Sequence, residues 1–248
     1  MGNCCTHNSY KEQIIQLIFS LNVSKLDCSA IKSLFFSQQS NTIKKHIEKL
    51  SPESQNLYKN SLLSLSENQF LQIAENHFYS PDNLYQSMFF RKIYELSNKR
   101  RAFLYFFIVA LSNASVNEKI NEFIESIYTL ERRESLKYVN LKDILRYYIN
   151  CALIAPLQAL RDSTDDQELI NQINTALLQE YNNVNITNFV DIIVQKFEMV
   201  NFSEKTDHSE ETMVCSPHHV EEILENSKKY FFDVLFLREV FGKINGFD

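Results

Sequence analysis

The chain has 248 residues, of which 44% are hydrophobic, so it is long enough to bury one large core or two small ones. It contains only three glycines, Gly2, Gly242 and Gly246. This composition excludes phosphate-binding loops, dinucleotide-binding turns and nucleophile elbows, because their backbones require glycine. The formal net charge of −6 argues against nucleic acid as a partner.

The charge is unevenly distributed along the chain. Residues 1–59 carry a net charge of +3, residues 60–160 carry +1 and residues 161–248 carry −10. A basic amino-terminal part suits an anionic membrane leaflet. The five cysteines are scattered and odd in number, which favours the thiols of a cytosolic protein over a disulfide framework.

The first residues predict a lipid anchor. The chain begins Met-Gly-Asn-Cys-Cys-Thr, which fits the myristoylation pattern with Gly2 as the acceptor and Thr6 in the last place. One myristoyl chain binds membranes with a constant of only about 10⁴ M⁻¹, so stable attachment needs a second signal. Cys4 and Cys5 lie next to the acylated end, and we expect them to be palmitoylated. Residues 1–9 are therefore predicted to be a flexible, acylated segment at the cytoplasmic face of a membrane; the alternative is an arbitrary tail.

Helical periodicity of apolar residues recurs through almost the whole chain, and no segment shows the convincing alternation of a strand. We predict an all-α fold, with very short β-pairs between loops as the remaining option. The predicted helices cover residues 10–21, 28–36, 41–49, 52–63, 67–78, 81–95, 103–112, 116–130, 141–160, 166–181, 187–199 and 217–244.

Local signals indicate where several helices begin. Ser115 and Glu118 have the spacing of a capping box, and Asn140 can cap the helix that follows it. Pro156 is expected to kink or break the helix 141–160. Three serine–proline pairs each predict an N-cap followed by proline at the first helical position: Ser51-Pro52, Ser80-Pro81 and Ser216-Pro217.

The chain divides into a helical body at residues 10–200, an acidic linker at residues 201–216 and a carboxyl-terminal helix at residues 217–248. That helix is apolar nearly all round, so it must be buried on the body, on another chain or over a groove. Four of its apolar residues are predicted to contact a groove or a partner: Phe232, Leu235, Phe236 and Val240.

The middle of the chain resembles an EF-hand. Residues 89–94 are followed by a short loop and then by Phe-Phe-Ile-Val-Ala-Leu-Ser at 106–112, which is similar to the exiting helix of the neuronal calcium sensor and calcineurin B-like family. Residues 117–128 and 139–144 resemble the two helices of the next hand. The resemblance covers roughly residues 10–200 and implies EF-hand-like helix–loop–helix pairs. Such pairs often leave an apolar groove that takes an amphipathic helix.

The calcium ligands of that family are missing. An EF-hand loop needs oxygen ligands at positions 1, 3, 5, 9 and 12, with glycine at position 6. The glycine position holds Arg100 when the loop is counted from Glu95. We therefore expect no tight calcium binding, no metal site and no cofactor. The five ligand positions are occupied by Glu95, Ser97, Lys99, Phe103 and Phe106.

A second resemblance concerns the acylated opening combined with degenerate hands. This combination is similar to the EF-hand-like amino-terminal half of TLDc-domain proteins, which also begin Met-Gly-Asn. The chain ends at Asp248, about where a TLDc domain would begin, so it resembles that half alone or a stand-alone relative. Both parent families stay open at this point.

Two basic clusters are predicted to contact a membrane or an acidic partner. The first is Lys99, Arg100 and Arg101, and the second is Arg132 and Arg133, in an equivalent loop between helices. The alternative interpretation is two solvated loops.

A group of histidines and one cysteine lies in or beside the predicted linker. Their spacing matches no standard metal site, so a flexible polar loop is the preferred interpretation. The group consists of His208, Cys215, His218 and His219.

These observations predict a membrane-tethered, calcium-insensitive, EF-hand-like adaptor or complex subunit that binds a protein partner. One alternative is a calcium sensor with atypical ligands. Another is a structural subunit that is attached to a large assembly through protein contacts. No catalytic residues are predicted, because no set of nucleophile, base and orienting residue has local support, and we expect the protein not to be an enzyme.

Overall fold

The computed structural model describes residues 10–36, 64–125, 136–201, 214–215, 220–221, 224 and 232–246. These residues are predominantly helical, which confirms the predicted all-α class. The predicted helices at 41–49 and 52–63 lie outside the described residues. A 3₁₀ helix, Asn22–Lys25, separates the first two α-helices. The α-helices are α1 Tyr10–Ser20, α2 Cys28–Phe36, α3 Glu67–His77, α4 Leu84–Leu96, α5 Arg101–Leu111, α6 Val116–Ile124, α7 Tyr138–Ser163, α8 Gln167–Gln179, α9 Asn183–Asn201 and α10 Val234–Asn245.

Helix α5 lies at the centre of the core. All of its eleven residues are buried, as expected for a helix that is apolar on every side. It packs against α2, α6 and α7. Its aromatic rings meet rings from two neighbours, with 4.3 Å between the centroids of Phe106 and Phe123 and 5.1 Å between those of Phe103 and Tyr147. These edge and stacked pairs fix how the neighbouring helices lie on α5.

Helix α7 is a long helix that contacts several of the others. It packs most extensively against α4 and also contacts α1, α8, α9 and α10. It runs from Tyr138 to Ser163 without a break, although Pro156 lies inside it. Of the two predicted alternatives at Pro156, a kink or a break, the break is therefore wrong. Proline removes one backbone donor, and the carbonyl that loses its partner is bound instead by a side chain of α10, as described below.

Helix starts follow capping chemistry, but not always at the predicted residue. The capping box of Ser115 and Glu118 is confirmed, with both reciprocal hydrogen bonds present. Helix α4 begins after Asn83, whose side-chain oxygen accepts from the backbone N–H of Gln86 at 3.0 Å, so the N-cap predicted at Ser80 is wrong. Helix α7 begins at Tyr138, before the cap that was predicted at Asn140. The other two serine–proline pairs lie outside the described residues.

Two antiparallel contacts join loops that precede helices. In the first, Ser64 pairs with Arg100, and the N–H of Leu65 donates to the carbonyl of Lys99 at 3.1 Å. In the second, strand β1, Leu136–Lys137, pairs with strand β2, Val214–Cys215. Helix α5 starts directly after the first contact, and α7 directly after the second. These contacts are the short β-pairs that the sequence left open.

The carboxyl-terminal segment is not one continuous helix. Phe232 and Asp233 are not helical, and α10 starts at Val234. The Asp233 carboxylate accepts from the N–H groups of Leu235 and Phe236, each at 3.0 Å, which makes Asp233 an N-cap. The single helix predicted at 217–244 is therefore wrong at this point. Asp233 lies inside an apolar run of the sequence, so its role as the N-cap of a new helix was not predicted.

Candidate functional site: a groove between α1 and α10

A groove of about 520 Å³ lies between α1, α10 and the residues that follow α8. Its lining combines the charged side chains of Lys11 and Arg238 with three carboxylates. The groove therefore combines apolar and charged side chains, as binding clefts do. The apolar side chains that line it are Ile15, Tyr181, Leu235 and Phe236.

Arg238 fixes α10 on α7 at the position of Pro156. Proline has no N–H, so the carbonyl of Ala152, four residues earlier, lacks its helical partner. The Arg238 guanidinium donates to that carbonyl at 3.0 Å and to the carbonyl of Leu153 at 2.9 Å. It also lies 3.4 Å from the hydroxyl of Tyr181. One side chain thus supplies the missing donor and also lines the groove.

Aromatic packing holds the other end of α10. Phe241 is fully buried and stacks on Tyr181, with 5.3 Å between the centroids and 14° between the planes. Its edge also meets Phe189 of α9 at 5.2 Å. Helix α10 therefore packs on the helical body through one face and presents part of its other face to the groove.

Lys119 fixes the segment that leads into α10. This lysine is buried, and its ammonium donates to the carbonyl of Ala110 at 2.9 Å and of Phe232 at 3.4 Å. Ala110 lies in the last turn of α5, where the helix dipole stabilises a nearby cation. Burial lowers the pKa of Lys119, and the nearby Asp233 carboxylate opposes that change. The segment before α10 is thereby bound to the central helix.

The four apolar residues predicted to contact a groove or a partner are in different surroundings. Leu235 and Phe236 are partly exposed and line the groove. Phe232 is buried against Phe106, with 6.0 Å between the ring centroids. Val240 packs against the protein's own core. Leu235 and Phe236 therefore line the groove, whereas Phe232 and Val240 pack in the fold.

The cluster predicted at Lys99, Arg100 and Arg101 is not a group of three exposed cations. Lys99 is exposed in a left-handed backbone conformation with φ of 65°. Arg100 places its guanidinium 3.8 Å from the centroid of the Phe103 ring. Arg101 is buried, so the expectation of a membrane contact there is wrong.

The partners of Arg101 explain why it is buried. Its guanidinium donates to the carbonyls of Phe35 at 3.3 Å and Ser64 at 3.1 Å. Burial lowers its pKa. Arg101 thus joins the end of α2, the loop before α3 and the start of α5. The second cluster, Arg132 and Arg133, lies outside the described residues.

The loop that resembles a calcium site is filled by core contacts. The Ser97 hydroxyl is buried and donates to the carbonyl of Tyr94 at 2.7 Å. Phe103 and Phe106, at the ninth and twelfth loop positions, lie in α5 and are buried. Among the described residues, no group of three or more histidine, cysteine, aspartate or glutamate side chains could hold a metal ion.

Several residues of this site were not predicted from the sequence. Arg238 and Tyr181 hold α10, and Lys119 holds the segment before it, yet none of the three was predicted. A proline inside a helical pattern indicates an unpaired carbonyl, and that signal was available at Pro156. Nothing local to Arg238 shows that it donates to a carbonyl 86 residues earlier.

The predicted lipidation residues Gly2, Cys4 and Cys5 lie outside the described residues, as do His208, His218 and His219. Across the part of the chain that is described, no helix has the length and apolarity that crossing a bilayer requires. Comparison with family models, with curated proteins and with solved structures finds no match to this chain.

Proposed function

We propose that this protein is a membrane-tethered, calcium-insensitive, EF-hand-like adaptor or complex subunit that binds a protein partner in the groove between α1 and α10. The observation that carries the proposal is the position of Leu235 and Phe236. Both line the groove and stay partly exposed, while Arg238 and Phe241 hold the same helix on the body. Apolar side chains held at the wall of a groove suit an amphipathic helix or an extended apolar segment of a partner.

The EF-hand-like part of the proposal is supported by the two antiparallel loop contacts. The first contact pairs Ser64 with Arg100, and the second pairs β1 with β2. A helix follows directly after Arg100 and another directly after Lys137. Calcium insensitivity is supported by the burial of Phe103 and Phe106 at ligand positions and by the positive charge of Lys99.

The membrane tether is supported by the sequence around Gly2, Cys4 and Cys5. Helix α1 starts at Tyr10, and Lys11 and Ile15 of that helix line the groove. An acyl chain on Gly2 would therefore hold the groove close to the bilayer. A partner that is itself at the membrane would meet the groove at a raised local concentration.

The tether is tested by partition between membrane and soluble fractions of cells. We expect the double variant Cys4→Ser/Cys5→Ser to become soluble, because the myristoyl chain that remains binds only marginally. We expect Gly2→Ala to become soluble as well, because without the myristoyl chain Cys4 and Cys5 are not brought to the membrane for palmitoylation. Thr6→Ser is the matched control, since it preserves the acylation pattern, and it should partition like the wild type. If all three variants stay with the membrane, the acyl tether is wrong and attachment through a protein complex takes its place.

The groove is tested by photo-crosslinking in cells. A photoreactive phenylalanine analogue in place of Leu235 should form a discrete adduct with a protein of the membrane fraction. The same analogue in place of Leu84, which is 56% exposed at the start of α4 and does not line the groove, should form none. Adding Gly2→Ala should abolish the adduct at Leu235. Equal adducts at both positions, or none at Leu235, would contradict a partner site in the groove.

A further inference from the structure

Helix α1 has an apolar stripe on the side that faces away from the core. Its inner face buries Ile14 and Leu17. On the outer face, Ile15 is 43% exposed and Phe19 is 73% exposed. Lys11 precedes Ile15 by four residues and Phe19 follows it by four, so the three side chains lie along one face of the helix. We call these three residues the outer stripe of α1.

We propose that the outer stripe of α1 lies against the lipid surface, with Phe19 inserted at the level of the headgroups and with Lys11 and Ile15, which also line the groove, at the boundary between the bilayer and the partner. This inference depends on the proposed tether, and it identifies which face of the protein meets the bilayer. Two apolar side chains, Ile15 and Phe19, with Lys11 on the same face nearer the amino terminus, have the chemistry of an interfacial helix. Their apolar parts enter the boundary of the acyl chains, and the lysine ammonium reaches the headgroups.

The length of the preceding chain supports this position. Eight residues separate an acyl chain on Gly2 from Tyr10, the first residue of α1. Fully extended, they span at most about 29 Å, so α1 cannot leave the neighbourhood of the bilayer while the anchor is inserted.

The size of the stripe argues against a second copy of the chain as its occupant. A stable dimer buries about 800 Å² on each partner, whereas one aromatic side chain buries about 150–250 Å². Ile15 and Phe19 together fall well short of that area. A lipid-anchored protein needs much less, because the acyl chains already hold it at the surface and the stripe has only to orient it.

Tryptophan fluorescence tests the contact directly, since the chain contains no tryptophan. The full-length acylated protein carrying Phe19→Trp is mixed with vesicles of phosphatidylcholine and phosphatidylserine. We expect a blue shift of the emission and quenching by brominated lipids. The matched control is Val116→Trp, at the first position of α6, which packs on α2 and α5. Val116 is also partly exposed, and its tryptophan should show neither change.

Sedimentation of the same samples separates failure of this inference from failure of the proposed tether. Protein that sediments with the vesicles while the tryptophan at position 19 stays unshifted overturns the lipid contact and leaves the tether intact. A shift at both positions also overturns it, because the contact would then not be specific to α1. If the protein does not sediment with the vesicles, the tether is wrong, and the lipid contact of α1, which depends on the tether, is wrong as well.

A second variant measures the contribution of the stripe to binding. Phe19→Gln should weaken vesicle partition of the acylated protein by about tenfold, since it removes the apolar area that one partly inserted phenylalanine buries. Thermal unfolding should not change, because the side chain is exposed in the folded protein. Unchanged partition contradicts the inference. So does an oligomer in vesicle-free solution that Phe19→Gln dissociates, since the occupant would then be a second copy.

Discussion

Replacing Arg238 by methionine is expected to lower the free energy of unfolding by about 2–3 kcal/mol. The substitution keeps an unbranched stem like that of arginine but removes the guanidinium donors, which leaves the buried carbonyl of Ala152 without a partner. The effect should be local as well as global. Amide hydrogen exchange should rise in α10, while that of α5 changes less, because α10 is held by few contacts.

The role of Pro156 makes this prediction specific. In a Pro156→Ala background, the new N–H can donate to Ala152 within α7, so Arg238→Met should cost less there. We expect the two substitutions to be coupled by about 1–2 kcal/mol, measured as the deviation from additivity in urea unfolding. Lys243→Met in the same helix is the control. Its ion pair with Glu239 is exposed, so its loss should cost less than about 1 kcal/mol.

Additive costs for Pro156→Ala and Arg238→Met would contradict this account. Arg238 would then stabilise α10 through Tyr181 alone, whose hydroxyl and ring it also approaches. In that case Tyr181→Phe should reproduce much of the loss that Arg238→Met causes, and the proline would be without consequence for the groove.

The helical class was predictable because it depends on local periodicity. The run from Ala102 to Leu111 is apolar on every side, and such a run is stable only as a buried helix. The capping box at Ser115 was predictable for the same reason, since its partner lies three residues away. Signals of this kind need no knowledge of the tertiary fold.

The interactions that form the groove were not predictable because they join distant parts of the chain. Arg101 is part of a basic run in the sequence, yet its guanidinium meets carbonyls 66 and 37 residues earlier. Lys119 is an ordinary lysine of an amphipathic helix until Phe232 is placed beside it, 113 residues later. Propensity describes neither contact, because each depends on how α5 and α10 pack.

The groove combines two requirements that conflict in a single helix. One face of α10 must be held firmly, or the groove has no fixed wall. The other face must stay partly exposed, or a partner has nothing to bind. Arg238 and Phe241 meet the first requirement on the side of α7 and α9. Leu235 and Phe236 meet the second, because they line the groove and stay partly exposed.

Phe106 is predicted to be the most sensitive of the loop positions that resemble calcium ligands. It corresponds to the twelfth position, where an EF-hand has a bidentate glutamate. Its ring meets Phe123 at 4.3 Å, Tyr148 at 5.4 Å and Phe232 at 6.0 Å. Phe106→Glu should therefore not create a calcium ligand. It should place an unpaired carboxylate among three rings and destabilise the protein by more than about 4 kcal/mol.

Phe106→Leu is the matched control, since it keeps the site apolar and should cost only about 1 kcal/mol. Thermal unfolding of both variants with and without millimolar Ca²⁺ measures the difference, and calorimetric titration of the wild type with Ca²⁺ completes the comparison. A Phe106→Glu variant that stays folded and gains stability from Ca²⁺ would mean that α5 can leave the core to form a ligand loop. If calorimetry detects Ca²⁺ binding to the wild type with micromolar affinity, α5 can likewise leave the core, and the protein is a calcium sensor and not a calcium-insensitive adaptor. The burial of all eleven residues of α5 argues against both results, because the ligand positions could turn outward only if the central helix left the core.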